Sequence, residues 1–292
     1  MNWQKGVRVT KKGTVWVIGA SSGLGLHTAQ AFAESGWLVI AGARSFEEAQ
    51  SSFEMKASEN PIRLSLDVTS EESCDRFQRE ALRISPRVDV LVCGAAVLVL
   101  GSCELTDAGE YERVMQTNFV GTVRMVGRVL PLMRRNSGGK IILFSSINGL
   151  LGVPFQSAYT ASKHALEGYA ECLAMETKPF GIQVCLVEPG DHRGGSNRTR
   201  LRAVAEDGAS PYCQAYENAC GVIGRDEAGG LAPERLGAKV VRNAQRRRMR
   251  FRLRIAKPDQ HLAVLLHDLL PAWANFMILS DYYRGGKPHE PS

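Results

Sequence analysis

A glycine-rich turn near the start of the chain is the feature that most constrains the fold. Residues 15–18 form a short apolar run that ends at Gly19, and apolar residues recur at helical spacing over residues 24–33. This arrangement predicts a strand, a tight turn and a helix. Further apolar runs alternate with helical patterns as far as residue 190, so we expect a parallel sheet with helices on both faces.

Six strands and four helices are expected in this part of the chain. The predicted strands are residues 15–18, 37–43, 62–66, 88–93, 140–144 and 182–187. The predicted helices are residues 24–33, 71–84, 108–135 and 158–179. Pro131 lies inside the third helix and is expected to bend or end it. This order is typical of a Rossmann-type doubly wound α/β fold with a mainly parallel sheet.

The pattern weakens after residue 190. Residues 191–231 are rich in Gly, Arg, Asn and Ser and contain one short candidate helix, residues 211–223. A segment of this kind in a compact domain is usually a functional lid or a disordered stretch. Tyr212, Cys213, Tyr216 and Val222 are candidates for apolar substrate contacts or for the core of the short helix.

The C-terminal part resumes a regular pattern. Residues 233–246 predict a helix, and residues 261–283 predict an apolar helical tail interrupted at Pro271. We expect a single domain over the whole chain. Its predicted parts are a dinucleotide-binding core (13–190), a substrate lid (191–231) and a C-terminal extension (232–292).

Composition narrows the class of protein. The apolar share of 44% and the charged share of 23% are those of a soluble globular protein. The seven cysteines include no C-x-x-C pair, so we expect neither a disulfide framework nor a metal site. Residues 1–12 lack the apolar core of a signal peptide, and no apolar run approaches the ~20 residues of a membrane span. We therefore expect a cytoplasmic protein that is not secreted.

The first turn has the composition of a phosphate-binding loop. Glycines let the backbone turn tightly and let a pyrophosphate approach the N-terminus of the helix, where free N–H groups favour an anion. The spacing is G-x-x-x-G-x-G, which differs from the commoner G-x-G-x-x-G fingerprint. The candidate cofactor-binding residues of this turn are Gly19, Ser21, Ser22, Gly23, Leu24 and Gly25.

The end of the second predicted strand indicates which dinucleotide is bound. An acidic residue at this position would bind the ribose 2′-hydroxyl of NAD. Arg44 stands there instead, and its permanent planar cation suits a 2′-phosphate. NADP(H) is therefore favoured, with NAD(H) possible. Asp67 and Val68, after the third strand, are placed to meet the adenine, although Asp67 could equally cap the following helix.

Tyr159 and Lys163 form a candidate catalytic pair. Residues four apart share one face of a helix, so the two side chains can address the same small volume. A free tyrosine has a pKa of roughly 10, and a nearby cation favours the phenolate. The pair therefore predicts general acid-base catalysis by Tyr159.

The combined motifs resemble the short-chain dehydrogenase/reductase family. They are Gly19-x-x-x-Gly23-x-Gly25, Asp67, Asn118, Ser146 and Tyr159-x-x-x-Lys163, in that order, within roughly residues 13–195. Residues 118–125, 152–155 and 163–168 are similar to segments of the hydroxysteroid (estradiol 17-beta-dehydrogenase-like) and retinol dehydrogenase branch. This likeness implies a hydrophobic, steroid-like or retinoid-like small-molecule substrate.

The resemblance implies a role for each motif residue. Tyr159 would exchange a proton with the substrate oxygen, and Ser146 would hydrogen-bond and polarise the same oxygen. Lys163 would lower the pKa of Tyr159 and hold the nicotinamide ribose. Asn118 would hold a water that joins Lys163 to solvent. The turn at Pro189 and Gly190 would contact the cofactor, and the hydride belongs to the cofactor itself.

Three positions depart from the family pattern. Residues 93–96, Cys-Gly-Ala-Ala, stand where Asn-Asn-Ala-Gly is usual, which puts local stability in doubt. Ile18 replaces a usual Thr. Gly194 replaces a Thr that commonly contacts the cofactor, so Ser196 or a backbone N–H would have to substitute for it. His192, in the same loop, is interpreted as a loop residue rather than a catalytic one.

The C-terminal extension has two notable surfaces. Residues 250–255 alternate arginine with apolar residues, which favours a solvated edge strand with Phe251, Leu253 and Ile255 facing inward. The apolar tail is expected to pack near the substrate entrance or a subunit contact, with peripheral membrane attachment as the alternative. Family likeness implies a homodimer or homotetramer through the helices near residues 108–135 and 158–179, and no nucleic-acid partner is expected.

The sequence therefore predicts an NADP(H)-dependent oxidoreductase that interconverts a secondary alcohol and a ketone on a hydrophobic substrate. A reductase of smaller ketones or acyl carbonyls would use the same residues. A dinucleotide-binding sensor without catalytic activity is the alternative from a different class. Retention of Asn118, Ser146, Tyr159 and Lys163 argues against the sensor.

Overall fold

The structure, a computed structural model, describes residues 12–46, 60–194, 200–203 and 208–285. A parallel sheet of seven strands forms its centre, and a separate parallel pair lies beside it. The strands are β1 (Thr14–Ile18), β2 (Leu38–Ala43), β3 (Ile62–Ser65), β4 (Val90–Cys93), β5 (Leu98–Leu100), β6 (Gly139–Phe144), β7 (Ile182–Pro189), β8 (Arg200–Arg202) and β9 (Arg252–Ile255). The main sheet has the order β3-β2-β1-β4-β6-β7-β9, and β5 pairs with β8.

Helices cover both faces of the main sheet. They are α1 (Gly23–Glu34), α2 (Glu71–Ile84), α3 (Ala108–Met115), α4 (Gly121–Arg135), α5 (Ser157–Thr177), α6 (Cys213–Ala228), α7 (Pro233–Ala244), α8 (Pro258–Leu269) and α9 (Ala272–Arg284). The prediction of a Rossmann-type doubly wound sheet is confirmed. In this topology the strand order reverses between β1 and β4, and the crevice at their carboxyl ends is where ligands bind.

Alternation along β1 explains the two layers of the core. Val15 and Val17 pack with Phe32 of α1 and Leu236 of α7 on one face of the sheet. Trp16 points to the opposite face, where it belongs to a cluster that includes side chains of α2, α4 and α5. Successive side chains of a strand point to opposite faces, so a run that is apolar throughout is buried on both sides.

Several predicted elements differ in detail from the structure. The third predicted helix does not end at Pro131, because α4 continues through that residue to Arg135. A π-helical turn, Gln116–Val120, joins α3 to α4, and nothing in the periodicity indicates it. The short strands β5 and β8 were not predicted, because their pairing joins segments about a hundred residues apart in the chain.

The edge strand is confirmed, but the interpretation of its arginines as solvated is wrong for Arg252 and Arg254. β9 pairs in parallel with β7 at the edge of the sheet. Ile255 and Leu253 pack on one core cluster, whereas Phe251 packs on the cluster of the opposite face. Arg252 and Arg254 form ion pairs with Glu188, which is fully buried in β7. These two edge arginines therefore compensate a carboxylate that is buried in the interior.

None of the helices in the described part of the chain has both the length and the apolar character needed to cross a bilayer.

Candidate active site

The β1–α1 turn is built around glycines that no other residue could replace. Gly19 has a φ of +83° and donates a backbone hydrogen bond to Gly42 at 2.8 Å. A Cβ at Gly19 would collide with the backbone of Gly94 and Ala95, and one at Gly25 would collide with the carbonyl of Gly19. Ser22 precedes α1 in an extended conformation without a side-chain cap. The first N–H groups of the helix are therefore available to an anion.

The unusual residues after β4 are accommodated by close packing. Gly94 donates its backbone N–H to the carbonyl of Ile18 at 2.8 Å, so the turns after β1 and β4 lie side by side. Ile18 and Cys93 are buried in the core. The turns after β1 and β4 are therefore joined through the backbone. This contact does not need the asparagine side chains that are usual at residues 93 and 94.

Arg44 and Asp67 follow β2 and β3 at the same edge of the sheet. The Asp67 carboxylate accepts hydrogen bonds from the N–H of Thr69 at 2.9 Å and from its hydroxyl at 2.7 Å. Burial acts to raise the pKa of Asp67, but these hydrogen bonds and the charge of Arg44 outweigh it and lower the pKa. Asp67 does not cap α2, because Ser70 accepts the hydrogen bond from Ser73.

Asn118 lies in the π-helical turn and is almost fully buried. Its side-chain oxygen accepts from the N–H of Val97 at 2.8 Å, and its amide nitrogen donates to the carbonyl of Val97 at 2.9 Å and to the hydroxyl of Ser162 at 3.0 Å. Both amide hydrogens are thus used by the protein. The side chain joins the loop before β5 to α5. That Asn118 holds a water between Lys163 and solvent stays a prediction.

Ser146 follows β6 and begins a short 3-10 turn, Ile147–Gly149. Its hydroxyl accepts from the N–H of Asn148 at 3.2 Å, and the Asn148 amide donates to Gln156 at 2.9 Å. Ser146 also forms a side-chain hydrogen bond with Tyr159. A chain of polar contacts therefore fixes Ser146 beside the hydroxyl of Tyr159.

Tyr159 and Lys163 share one face of α5, as predicted. The ammonium of Lys163 lies 5.3 Å from the centroid of the Tyr159 ring and donates to the carbonyl of Phe144 at 2.6 Å. Burial raises the pKa of Tyr159 to about 12, with the Ser146 hydrogen bond acting in the opposite direction. Burial lowers the pKa of Lys163 to about 8, against the effect of Glu167. The expected lowering of the Tyr159 pKa is absent from the protein alone, because desolvation dominates.

A single cavity of about 780 Å³ connects these groups. Every predicted site residue except Asn118 lines it. They are Gly19, Ser21, Ser22, Gly23, Leu24, Gly25, Arg44, Asp67, Val68, Ser146, Tyr159, Lys163, Pro189 and Gly190. The glycine turn and Arg44 stand toward one part of this space, and apolar residues of α8 and α9 enclose another.

The predicted lid contributes one helix to the cavity. Ile223 of α6 lines the cavity, whereas Tyr212, Cys213, Tyr216 and Val222 do not. Tyr216 packs into a small core cluster with Leu98, Leu100 and Ile223, against which Tyr159 also packs. Of the two predicted roles for these four side chains, the structure therefore favours local packing.

The loop after β7 holds its histidine inside the protein. His192 is buried, and its Nδ1 lies 2.9 Å from the carbonyl of Gly190. Burial lowers the pKa of His192, which favours the neutral ring. Gly194 has a φ of +69°, which suits a glycine in this turn. Ser196 lies outside the described residues.

Several cavity residues were missed by the sequence reasoning. They are acidic or amide side chains at the substrate end, namely Asp191, Asp226, Glu227, Asp259 and Gln260. Burial, followed by the charges of Asp226 and Glu227, raises the pKa of Asp191 to about 6. These residues come from the lid and from the start of α8, and no local pattern in the sequence indicates that the fold brings them together.

The fold and the cavity define a dinucleotide-binding α/β protein with a tyrosine–lysine pair beside its binding crevice. Comparison with known proteins agrees with this class. A family model described as short chain dehydrogenase matches residues 13–203. The chain belongs to the short-chain dehydrogenase family and is an NAD(P)-dependent oxidoreductase of the alcohol dehydrogenase and ketoreductase type.

Individual relatives differ in how much of the chain they match. The 3-ketodihydrosphingosine reductase of Bacteroides thetaiotaomicron is 36% identical over 88% of this chain and 93% of its own length. Human 17-beta-hydroxysteroid dehydrogenase type 1 is 37% identical over 60% of this chain and 56% of its own length. A solved short-chain dehydrogenase from Streptomyces avermitilis has a TM-score of 0.76 at 30% identity and covers 94% of this chain and 99% of its own.

Proposed function

We propose that this protein interconverts a secondary alcohol and a ketone on a hydrophobic substrate and uses NADP(H) as its cofactor. The observation that carries the proposal is the shared cavity. It is lined at once by the glycine turn, by Ser146 and Tyr159, and by apolar side chains of the C-terminal helices. A cofactor and an oily substrate could therefore meet beside Tyr159.

In this proposal the cofactor supplies or accepts the hydride, and the residues of the chain handle the proton. Tyr159 is protonated at neutral pH because burial raises its pKa to about 12, so it can donate to a carbonyl oxygen during reduction. Ser146 donates a second hydrogen bond to the same oxygen and stabilises the charge that develops there. Lys163 places a cation beneath the Tyr159 ring and is the residue that would hold the nicotinamide ribose.

The chain offers a suitable setting for NADP(H). The uncapped N-terminus of α1 and the glycine turn would hold the pyrophosphate. Arg44 lines the cavity and would bind the 2′-phosphate, with Asp67 and Val68 toward the adenine and Pro189 and Gly190 toward the nicotinamide. An enzyme that uses NAD(H) would leave Arg44 without a ligand.

The lipophilic walls indicate the kind of substrate. Leu262, Leu266, Ile278 and Leu279 line the cavity beyond the catalytic residues. Steroid-like and retinoid-like substrates, which the sequence motifs suggested, fit this character. The steroid and retinol relatives match only about 60% of the chain, whereas the 3-ketodihydrosphingosine reductase matches 88% of it. We therefore place a long-chain lipid ketone first among the hydrophobic candidates.

Turnover of a ketone panel tests the proposal. The panel contains a long-chain 3-ketone, a ketosteroid and a four-carbon ketone, with the aldehyde retinal as a retinoid probe. Each is tested with NADPH and with NADH, and the loss of reduced nicotinamide is followed. We expect a kcat/KM for at least one lipophilic substrate that exceeds that for the short ketone by about a hundredfold, because each buried methylene adds binding energy. Equal values would favour the reductase of small ketones. No turnover of any panel member, together with tight NADPH binding, would favour the dinucleotide-binding sensor.

We also propose that the C-terminal helices rest on a lipid bilayer, which would place a cytoplasmic enzyme at a membrane surface. The α8–α9 surface consists of exposed apolar side chains, between 51% and 72% accessible, at Leu265, Leu269, Trp273, Phe276 and Met277. Leu262 and Ile278 are exposed on the same helices and also line the cavity. A lipophilic substrate could pass directly from the bilayer to the site.

Sedimentation with phosphatidylcholine vesicles tests this surface. The wild type is expected to sediment with the vesicles, and Trp273→Asp with Phe276→Asp is expected to remain in the supernatant. Met175→Asp, which changes an equally exposed apolar side chain on α5, is the control. Retention of the double variant on vesicles would contradict the proposal, and a change in oligomeric state alone would assign the surface to subunit contact.

We propose a homodimer or homotetramer through α3, α4 and α5, which light scattering would measure.

A further inference from the structure

Three charged or polar residues of α5 are spaced along the same face. Tyr159, Lys163 and Glu167 follow one another at four-residue steps, so they stack along one side of the helix. The proposed function uses the first two and leaves Glu167 unexplained. Glu167 is buried at 8% exposure, and a carboxylate is rarely buried to this extent without a partner.

The partner of Glu167 is an arginine on the edge strand. Arg252 of β9 donates one guanidinium nitrogen to Glu167 and to Glu188, the latter at 2.7 Å, and donates the other to Glu171 at 2.7 Å. Arg254 donates to the second oxygen of Glu188 at 2.9 Å. Arg252 thus connects α5, which carries the catalytic pair, to the end of β7.

The ion pair between Arg252 and Glu188 lies next to the part of the cavity that is proposed to hold the cofactor. Glu188 is fully buried and directly precedes Pro189 and Gly190, which line the cavity. The same arginine therefore restrains both the helix that carries Tyr159 and Lys163 and the strand that leads to the proposed nicotinamide turn.

Glu167 also lies against the turn that carries Ser146. A Cβ at Gly149 would come within 3.1 Å of the Glu167 carboxylate and 2.5 Å of the Ser145 hydroxyl, so glycine leaves room for the acid behind this turn. Burial raises the pKa of Glu167, and the Ser145 hydroxyl and Arg252 act in the opposite direction. Ser145 precedes Ser146 in the chain, which places Glu167 behind the proposed substrate-polarising residue.

The charge of Glu167 acts on Lys163. Burial lowers the pKa of Lys163 to about 8, and Glu167 is the residue whose charge opposes this effect. Glu167 in turn faces Arg252 and Glu188, with Arg254 and Glu171 at the edges of the same network.

We propose that Glu167 is a positioning residue for the proposed reaction, which orients the Lys163 ammonium and the Ser146 turn from behind the site. This inference rests on the proposed function. Its carboxylate is held by Arg252, touches neither substrate nor cofactor, and acts through Lys163 and Ser145. The edge strand β9 is in this way a part of the catalytic framework.

Glu167→Gln and Glu171→Gln provide a matched pair of variants. Both remove one charge from α5 and one partner of Arg252, but Glu171 is exposed and does not act on Lys163. The pH profile of kcat/KM for the best ketone of the panel is the activity readout. Because protonated Lys163 is the active form, we expect the alkaline limb in Glu167→Gln to move down by about one pH unit, as a lost charge partner implies. Glu171→Gln is expected to keep the wild-type limb, and Glu167→Asp is expected to restore it.

A second readout separates this inference from the proposed function. NMR titration of Lys163 in protein with ¹⁵N-labelled lysine side chains measures the same shift without turnover. If the wild type reduces no ketone, the proposed function fails while this titration still tests Glu167. An unchanged Lys163 titration and pH limb in Glu167→Gln would overturn the inference. A loss of activity at every pH without a shift of the limb would overturn it as well, because a purely structural role would give that result.

Discussion

The ammonium of Lys163 lies 5.3 Å from the centroid of the Tyr159 ring, beneath the aromatic face, and its hydrogen bond goes to the carbonyl of Phe144. Lys163 is buried and Tyr159 is partly buried, and burial moves both pKa values toward the neutral side chain, up for Tyr159 and down for Lys163. The protein therefore holds a proton donor and a weakened cation in contact in a site of low polarity. A site of this kind is costly to fold and suited to proton transfer.

Replacing Tyr159 by Phe is expected to remove turnover and to preserve cofactor binding. The loss should reach about a thousandfold in kcat, because a positioned general acid contributes on this scale. NADPH consumption and an NADPH fluorescence titration measure the two properties. Tyr169→Phe, on the same helix and outside the cavity, is the control and should retain activity. A Tyr159→Phe variant with wild-type turnover would remove Tyr159 from the mechanism.

Replacing Lys163 by Met is expected to stabilise the protein at pH 7 while abolishing activity. The pKa of Lys163 is about 8 in the folded protein against an ordinary value of 10.5, so the buried charge opposes folding below pH 8. The gain is about 1–2 kcal/mol, because the lost hydrogen bond to Phe144 offsets part of the relief.

The stability gained by Lys163→Met is expected to depend on pH. Between pH 8 and 10.5 the folded protein releases the Lys163 proton while the unfolded chain keeps it, so the stability of the wild type rises over this range. The advantage of Lys163→Met should therefore shrink as the pH increases. Urea unfolding at pH 7 and pH 10 measures it, with Lys178→Met, at an exposed position after α5, as the control. An advantage that is equal at both pH values would contradict this assignment.

Replacing Arg44 by Ala is expected to weaken NADPH binding by about tenfold, since a charge-assisted contact to phosphate contributes roughly 1.4 kcal/mol or more. NADH lacks the 2′-phosphate and serves as the internal control, so its affinity should change by less than about twofold. Isothermal titration of both nucleotides provides the measurement. An equal loss for the two would show that Arg44 does not select the phosphate.

The core of the site could be predicted because its signals are local. The glycine turn is demanded by a positive φ and by backbone contacts at Gly19, and the face shared by Tyr159 and Lys163 follows from helical spacing. Helix α2 was predicted with its observed bounds, although its N-cap is Ser70 and not the Asp67 that the sequence offered. These features depend on neighbours within a few residues in the chain.

The features that were missed depend on distant partners. Arg252 meets Glu188 and Glu167 across 64 and 85 residues of sequence, so a period-two pattern could show an edge strand without showing an internal ion pair. The acidic side chains near Asp191 gather from the lid and α8 in the same manner. The π-helical turn at Asn118 is set by tertiary hydrogen bonds to Val97 and Ser162, and helical periodicity alone carries no sign of it.

Replacing Asn118 by Ala is expected to lower the free energy of unfolding by about 3 kcal/mol, because it removes the partner of both buried backbone groups of Val97 and one of the hydrogen bonds of Ser162. Urea unfolding measures the loss. Asn218→Ala removes an asparagine whose hydrogen bonds are exposed, and it should cost less than about 1 kcal/mol. Equal losses in the two variants would mean that the Asn118 contacts do not hold the loop before β5 to α5.

Replacing Arg252 by Met tests whether this arginine of β9 stabilises the buried carboxylates of Glu167 and Glu188. The change leaves Glu188, which is fully buried, with Arg254 as its remaining arginine, and it leaves the largely buried Glu167 without an ion-pair partner among the described residues. Removing one partner of a buried ion pair costs about 3–5 kcal/mol, and the partial exposure of Arg252 places the expected loss near about 3 kcal/mol.

Arg250→Met is the matched control, because Arg250 is exposed, precedes β9 and makes no ion pair within the described part of the chain. Its loss should stay within about 0.5 kcal/mol, as for most surface substitutions. Urea is the appropriate denaturant, since guanidinium chloride would screen the charges under test. Similar small losses in both variants would restore the interpretation of residues 250–255 as a solvated edge. A large loss in Arg252→Met alone would instead show that this arginine holds β7, β9 and α5 together.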